Sequence, residues 1–331
     1  MKILLYTENE KLVAGSGVGR AVKHQMKALE LAGVDYTRKK RDEYDLVHIN
    51  TVGIGSLRLA DKAHKKGKKV IMHGHSTEED YKDSFFFANK TSKLFKKWLI
   101  KAYSKGDLIV TPTPYSKKVL DSYNINKEII PVSNGVDLEK FKKDAVMAKK
   151  FRKEYGFTKD EKIVLCVGLQ IKRKGILDVI EIASKNPDIT FVWCGYTNKT
   201  LMTKDVRAAI KKAPDNLNFL GYIRNMIGAY SAASIFFFPT YEETEGIVVL
   251  EALAMSLQVI VRDIPVFDSW LNDSTDCYKA KNNEQFTNLI RSLLDEKLPT
   301  TVKKGYMVAQ ARSLEKIGEE LKTIYEKALL N

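Results

Sequence analysis

The 331-residue chain reads as a two-domain α/β protein, and three observations predict that class. Short apolar runs alternate with helically patterned stretches, as in a parallel sheet covered by helices on both faces. The alternation starts afresh after residue 160. Each half opens on a strand-like run, a glycine-containing loop and a helix, the beginning of a doubly wound unit. A chain of this length accommodates two domains of ordinary size.

In the first half the strand candidates are Lys2–Tyr6, Leu46–Ile49, Val70–His73, Leu108–Thr111 and Ile129–Val132. Between the first two, Val18, Val22, Met26 and Leu29 recur at helical spacing, and the helix they predict ends at Gly33. In the second half Lys162–Val167 is followed by the loop Gly168–Gly175 and a helix over Ile176–Lys185. Ile189–Cys194, Leu217–Leu220, Ile235–Phe238 and Val259–Val261 follow as strands, with a helix over Ile247–Ala254 between the last two. The Lys-rich stretch Asp137–Lys153 reads as the linker. The expected domains are 1–145 and 146–312, and 313–331 forms a C-terminal helix. The pattern of Leu314–Leu330 fits either domain, and a return to the N-terminal one is one of its two arrangements.

Composition narrows the function classes. With 44% hydrophobic and 10% aromatic residues the chain is an ordinary globular protein, not a disordered one. The three cysteines form no C-x-x-C pair; Cys166 and Cys194 lie in strand-like runs and read as small buried hydrophobes of a reducing compartment. Neither a signal peptide nor an apolar stretch of about 20 residues is visible, so a protein that dissolves or lies on a surface is expected. Net charge is +14, and it is uneven: through Pro131 there are 25 basic against 15 acidic residues, leaving only +4 for the rest. A basic first half calls for an anionic partner, nucleic acid or acidic lipid, and charge alone does not choose between them.

Two loops and one helix carry the chemistry. Gly15-Ser16-Gly17-Val18-Gly19-Arg20 would let backbone amides approach an anion at a helix N-terminus, although a tight strand-to-helix turn also explains its glycines. It lacks the full G-x-G-x-x-G spacing, and no acidic residue ends the second strand, which disfavours a nicotinamide enzyme. Arg173 and Lys174 lie among three consecutive cations just ahead of a helix, where they oppose its dipole; a bound diphosphate would relieve the conflict. Glu243 follows an apolar strand, while Glu251 stands inside an apolar helix, where an unpartnered carboxylate is costly. Sugar and ribose hydroxyls are suitable donors to both.

At these residues the chain resembles the retaining glycosyltransferases of family 4, of GT-B fold. Glu243 and Glu251 enclose seven residues with Gly246 among them, as in that family's signature. Ser133-Asn134-Gly135-Val136-Asp137 is similar to its interdomain segment, and His73-Gly74-His75-Ser76-Thr77 to its histidine loop, in which His75 is the matching position. Within the family the likeness is greatest to bacterial glycolipid synthases, over 242–251, 261–268, Arg173-Lys174-Gly175 and His75–Ser84. Two departures stand out: Ser16 replaces a common first glycine, and Leu169 an arginine.

The resemblance implies two Rossmann-like domains facing across a cleft. Gly17, Gly168, Arg173 and Lys174 would bind the donor diphosphate; Glu243 and Gly246 the hexose; Glu251 the ribose. His75, with Glu243, would act at the reacting centre. It also implies a UDP-sugar donor, UDP-glucose or UDP-galactose, with no tightly bound cofactor. The chain contains no D-x-D, so cations are expected to replace an obligatory metal. No carboxylate nucleophile stands out, and same-face attack with the donor phosphate as base is expected.

The stretch Lys93–Lys105 has the form of a basic amphipathic helix suited to an anionic bilayer. Lys93, Lys96, Lys97 and Lys101 occupy one face, Phe95 and Trp98 the other, and Phe85 and Phe86 just before them could insert. A helix packed on its sheet with solvated lysines is the alternative. The reading overall is a hexosyltransferase peripheral on the cytoplasmic face of the cell membrane, acting on α-monoglucosyl-diacylglycerol. A soluble family 4 enzyme of polysaccharide or wall-polymer synthesis is the alternative. A non-catalytic nucleic-acid-binding protein is more remote, since it leaves both glutamates unexplained and no nucleic-acid partner is expected.

Overall fold

A computed structural model of the chain describes residues 1–13 and 15–330. Its described strands form two six-stranded sheets. The first holds β1 (Lys2–Tyr6), β2 (Asp35–Thr37), β3 (Leu46–Ile49), β4 (Lys69–His73), β5 (Leu108–Thr111) and β6 (Glu128–Pro131), in the order β2-β1-β3-β4-β5-β6. The second holds β7 (Ile163–Val167), β8 (Thr190–Cys194), β9 (Leu217–Gly221), β10 (Ile235–Phe238), β11 (Gln258–Arg262) and β12 (Tyr278–Ala280), in the order β12-β11-β10-β7-β8-β9. All the pairings are parallel. Strands buried on both faces must be apolar throughout, and β3, β5, β7 and β10 are buried along their whole length. The edge strands β2 and β12 were not foreseen because each is only three residues long, without an apolar run.

The chain divides into two compact units. Unit 1 comprises Met1–Asp80, Thr91–Asp137 and the segment from Ala311 to the C-terminal end; unit 2 comprises Tyr81–Lys90 and Leu138–Gln310. Asn331, the last residue of the expected 313–331 segment, lies outside the described residues.

Within unit 1 the C-terminal helix Leu314–Leu330 buries Leu314, Ile317, Leu321 and Tyr325 in one core with Val22, Ala28 and Leu29 of the helix Gly17–Leu31. A Cβ at Gly318 would lie 2.2 Å from the Ala28 carbonyl oxygen, so the two backbones approach more closely than any side chain allows. The exit of the chain from unit 1 is fixed at the same place. Val136 bridges to Ser313, and Gly135, at φ 72°, would set a Cβ 2.8 Å from Leu314. Unit 2 packs Phe191, Trp193, Phe237 and Phe286 in a core of its own.

Candidate active site

In the second sheet β7 and β10 are neighbours, and the chain winds away from them in opposite directions, through β8 and β9 on one side and β11 and β12 on the other. The carboxyl ends of strands at such a reversal are where open α/β sheets bind ligands. Both glutamate- and cation-bearing loops leave from this point, Gly168–Gly175 after β7 and 239–246 after β10.

The first loop is pinned from both ends. Gly168 donates to the Cys194 carbonyl at 2.9 Å, while the Trp193 indole donates to the Gly168 carbonyl at 3.0 Å. Lys172–Lys174 make one 3₁₀ turn closed by Gly175 in the left-handed region. A Cβ on Gly175 would sit 2.4 Å from the Pro239 carbonyl oxygen, so glycine is required both by its φ and by the approach of the second loop. That loop is tied back in turn: Tyr241 N–H donates to the Arg173 carbonyl at 2.8 Å, and Thr240 Oγ1 lies 3.1 Å from the same oxygen.

Three groups converge on Oε1 of Glu243. Lys174 Nζ is in direct contact, the Thr240 hydroxyl donates at 2.9 Å, and Arg173 Nη1 lies at 3.5 Å. Arg173 is itself buried and held by the Ser84 hydroxyl, 2.9 Å from its Nε, and by the Glu242 carbonyl, 2.6 Å from Nη1. Burial alone would raise the Glu243 pKa, but the charges of Lys174 and Arg173 and the hydrogen bonds of Lys174 and Thr240 outweigh it and hold the carboxyl below its ordinary range. The site therefore presents an ionised carboxylate between two cations, in a place drier than bulk water. Gly246, at φ 91°, turns the chain from this loop into the helix Ile247–Ala254. Glu251 on that helix is 1% exposed and accepts from the Tyr230 hydroxyl at 2.8 Å, which answers the question its apolar surroundings raise.

A third cluster braces the β10 loop, and no local sequence pattern marks it. Arg262 Nη2 pairs with Asp178 at 3.2 Å, Tyr241 donates to the same Asp178 oxygen at 2.9 Å, and the Arg262 guanidinium lies 3.9 Å from the Tyr241 ring centre. Arg262 also donates to the Pro239 carbonyl at 3.1 Å. The parallel pairing of β10 with both β11 and β7 brings these residues together, Arg262 from the end of β11 and Asp178 from the helix after β7.

In unit 1 the corresponding reversal lies between β1 and β3. The glycine segment from Gly15 to Gly19 runs into the helix Gly17–Leu31, and Ser16 caps that helix by accepting from Gly19 N–H at 3.3 Å. The serine that departs from the family pattern thus supplies a helix cap. Gly17 has no positive φ, and a Cβ there would meet nothing within 4 Å. Its lack of a side chain is required neither by conformation nor by packing.

His75 follows β4. Its Nε2 lies 2.8 Å from Asn50 Oδ1 at the end of β3, and its ring stacks on His73 at 3.8 Å with an interplanar angle of 10°. Burial, then the neighbouring His48, pushes the His75 pKa down to about 3, so the imidazole is neutral at physiological pH.

The residues expected on the membrane side separate into two groups. Leu99, Ala102 and Tyr103 of the helix Ala88–Tyr103 are fully buried, with Phe95 packed on the same core. Lys96 turns inward, 3.8 Å from Glu78 and 4.2 Å from the Tyr123 ring centre, and the Trp98 indole donates to the Val52 carbonyl at 2.7 Å. Phe95, Lys96 and Trp98 therefore depart from the expected outward set, because the sheet needs this face of the helix as its cover. Lys93, Lys97 and Lys101 are exposed, as are Leu94 (70%), Phe86 (51%) and Phe87 (62%), whereas Phe85 is half-buried. Among the described residues no helix is long and apolar enough to cross a membrane.

Two parallel doubly wound units, each with a glycine loop at its sheet reversal, and a paired cation–carboxylate site at one of them, define a GT-B glycosyltransferase. The family described as Glycosyl transferases group 1 matches residues 147–312, and that described as Glycosyltransferase Family 4 matches residues 28–140; the chain belongs to the family 4 glycosyltransferases. It is 41% identical over 332 residues to the processive diacylglycerol alpha-glucosyltransferase of Acholeplasma laidlawii, covering 99% of each chain. It is 26% identical to the alpha-galactosylglucosyldiacylglycerol synthase of Streptococcus pneumoniae, over 81% of this chain and 74% of that one. Among solved structures, Anabaena HepE in complex with UDP-glucose superposes with a TM-score of 0.79 at 14% identity, covering 99% of this chain and 100% of that one. The expected GT-B fold is therefore present.

Proposed function

We propose that this protein transfers a hexose, glucose before galactose, from a UDP-sugar to α-monoglucosyl-diacylglycerol, forming a diglycosyl-diacylglycerol with retention of configuration. The observation that carries the reading is the meeting of Lys174, Arg173 and Thr240 on one oxygen of Glu243 at the sheet reversal. The lipid acceptor is supported by 41% identity, over 99% of both chains, to an enzyme named for that class of substrate.

A sugar–diphosphate bond breaks when the charge left on the phosphate is stabilised, and preorganised cations and amides do this without rearranging. In this reading Arg173 and Lys174, with the Gly168 and Gly17 backbone, take the diphosphate. Glu243 accepts hydroxyls of the hexose through the oxygen that Lys174 does not engage, in the loop ended by Gly246. Glu251 takes the ribose hydroxyls beside Tyr230. As the anomeric carbon gains positive charge, an imidazolium nearby would oppose it, whereas neutral His75 can accept a hydroxyl of the sugar without that penalty. The departing phosphate oxygen then removes the acceptor proton on the same face.

The exposed Lys93, Lys97 and Lys101 with Leu94, and Phe86 just ahead of them, support contact with an anionic bilayer. Each lysine near such a surface contributes about 1 kcal/mol. The enzyme then works as a peripheral protein on the face of the membrane that UDP-sugars reach. The test is incubation with UDP-glucose or UDP-galactose and anionic vesicles containing α-monoglucosyl-diacylglycerol, with product mass and sugar composition read directly. A dihexosyl lipid is expected. Hydrolysis of donor alone, or transfer only to soluble glycans, would overturn the acceptor assignment.

A further inference from the structure

Unit 1 contains a chain of buried polar groups behind His75 that the proposed chemistry does not use. His48, in the middle of β3, is fully buried, and His73, at the end of β4, is 3% exposed. Tyr325 of the C-terminal helix lies 2.7 Å from His48 Nδ1; His48 Nε2 lies 3.1 Å from His73 Nδ1; and the Gln25 amide nitrogen lies 2.7 Å from that same Nδ1. His48 and His73 are stacked at 5.2 Å, and His73 and His75 at 3.8 Å.

The orientation of the Gln25 amide selects the arrangement. An amide nitrogen can only donate, so with the Gln25 nitrogen toward it His73 Nδ1 accepts, and His73 carries its proton on Nε2. His48 Nε2, facing the same lone pair, must then also donate. Its Nδ1 is left to accept the Tyr325 hydroxyl. The relay runs Tyr325 O–H to His48 Nδ1, then His48 Nε2–H to His73 Nδ1, and it ends on a buried His73 Nε2 that has no partner among the described residues. A buried donor without a partner is destabilising, and an apolar residue at the end of β4 would avoid that cost. The expense is explained if the ring, and not merely its volume, is needed.

We infer that His73 is a positioning residue for His75, locked in one tautomer by Gln25, His48 and Tyr325. This rests on the assignment of His75 to the transferred hexose. The stack holds the plane of the His75 ring, and the bond from its Nε2 to Asn50 fixes the rotation within that plane. Nδ1 is left as the acceptor offered to a substrate hydroxyl. Tyr325 thereby gives the C-terminal helix a part in the reaction that its packing on the Gly17–Leu31 helix does not require.

Long-range ¹H–¹⁵N correlation of the full-length protein labelled at histidine reads each tautomer directly. His48 and His73 are expected as pure Nε2–H forms. Tyr325→Phe removes one hydroxyl, and it should give mixed tautomers at both rings, lower the melting temperature through the lost buried hydrogen bond and lower kcat about tenfold, while UDP affinity stays near wild type. His73→Leu should lower kcat further, again sparing UDP affinity. Mixed tautomers in the wild type would overturn the inference, as would kcat within twofold of wild type in Tyr325→Phe. His75→Ala separates this from the reading beneath it. If His75→Ala turns over normally the assignment of His75 itself fails; if it is inactive while Tyr325→Phe and His73→Leu are not, only the relay fails.

Discussion

Both sheets are parallel and doubly wound, with one strand beyond β1 in the first and two beyond β7 in the second, and they end in opposite chemistries. At the reversal of the second sheet the groups are ions, with Lys174 and Arg173 against Glu243 and, beneath them, Arg262 against Asp178. Along the carboxyl edge of the first, from β3 to β4, they are the neutral Asn50, His73 and His75. Glu8, just after β1, is turned into the start of the helix Ile54–Lys65, accepting from Gly55 and Ser56 N–H at 3.0 and 2.8 Å. A doubly wound sheet thus fixes where a site forms, and the residues at its strand ends decide what charge the site tolerates. In the proposed reaction the ionic edge would take the diphosphate, and the neutral one would add no charge of its own.

The contrast is broken most severely by removing its anionic centre. Glu243→Ala leaves Lys174 and Arg173 buried beside each other, and turnover is expected to fall by about 10²–10³-fold, as when other preorganised electrostatic groups are lost; steady-state rates on glycolipid vesicles measure it. Near-normal turnover would place the hexose elsewhere. Next in size is the joint change of Lys93, Lys97 and Lys101 to Ala. At about 1 kcal/mol each, vesicle affinity should drop about 10²-fold in sedimentation at low salt, with UDP affinity untouched. Lys174→Ala should weaken UDP by about tenfold or somewhat more, the worth of one charge-assisted hydrogen bond, by calorimetry. Unchanged UDP affinity would detach the cations from the diphosphate. Arg173→Ala sharpens the point less well, because Arg173 also holds Ser84 and the Glu242 carbonyl.

How much of this was legible beforehand differs between the two edges. The strands were legible because parallel strands buried on both faces are uninterrupted apolar runs, as in Ile163–Val167 and Ile235–Phe238. Three-residue edge strands leave no such trace. Arg173, Lys174 and Glu243 could be singled out because cations before a helix and acids beside an apolar strand conflict with local physics until they are paired. The Arg262–Asp178–Tyr241 brace was not legible, since each member is unremarkable in its own segment. His48 was hidden in the same way, as one polar residue in a short apolar strand whose partner Tyr325 lies 277 residues further on. The Lys93–Lys105 pattern was legible as amphipathic, but a pattern does not say what covers the apolar face. Here it is largely the sheet.

The smallest expected effect concerns pH, and it tests the neutral edge directly. Burial lowers the His48 pKa from its ordinary value to about 3. With the folded value below the unfolded one, the unfolded chain binds more protons between them. The stability that neutral His48 supports is therefore present above pH 6.5 and is lost progressively as pH falls toward 3. His73 and His75 are lowered in the same direction, burial being the first cause in each. The urea midpoint of the wild type should thus decline between pH 7.5 and pH 5. Ionised Glu243 contributes nothing to that slope near neutrality, because its pKa lies below the usual carboxyl range. Replacing His48 with Phe removes one of the three titrating rings while keeping an aromatic in the core, so the decline should become shallower even if the midpoint at pH 7.5 is lower. An equally steep decline in His48→Phe would mean that the acid sensitivity arises outside the imidazole edge.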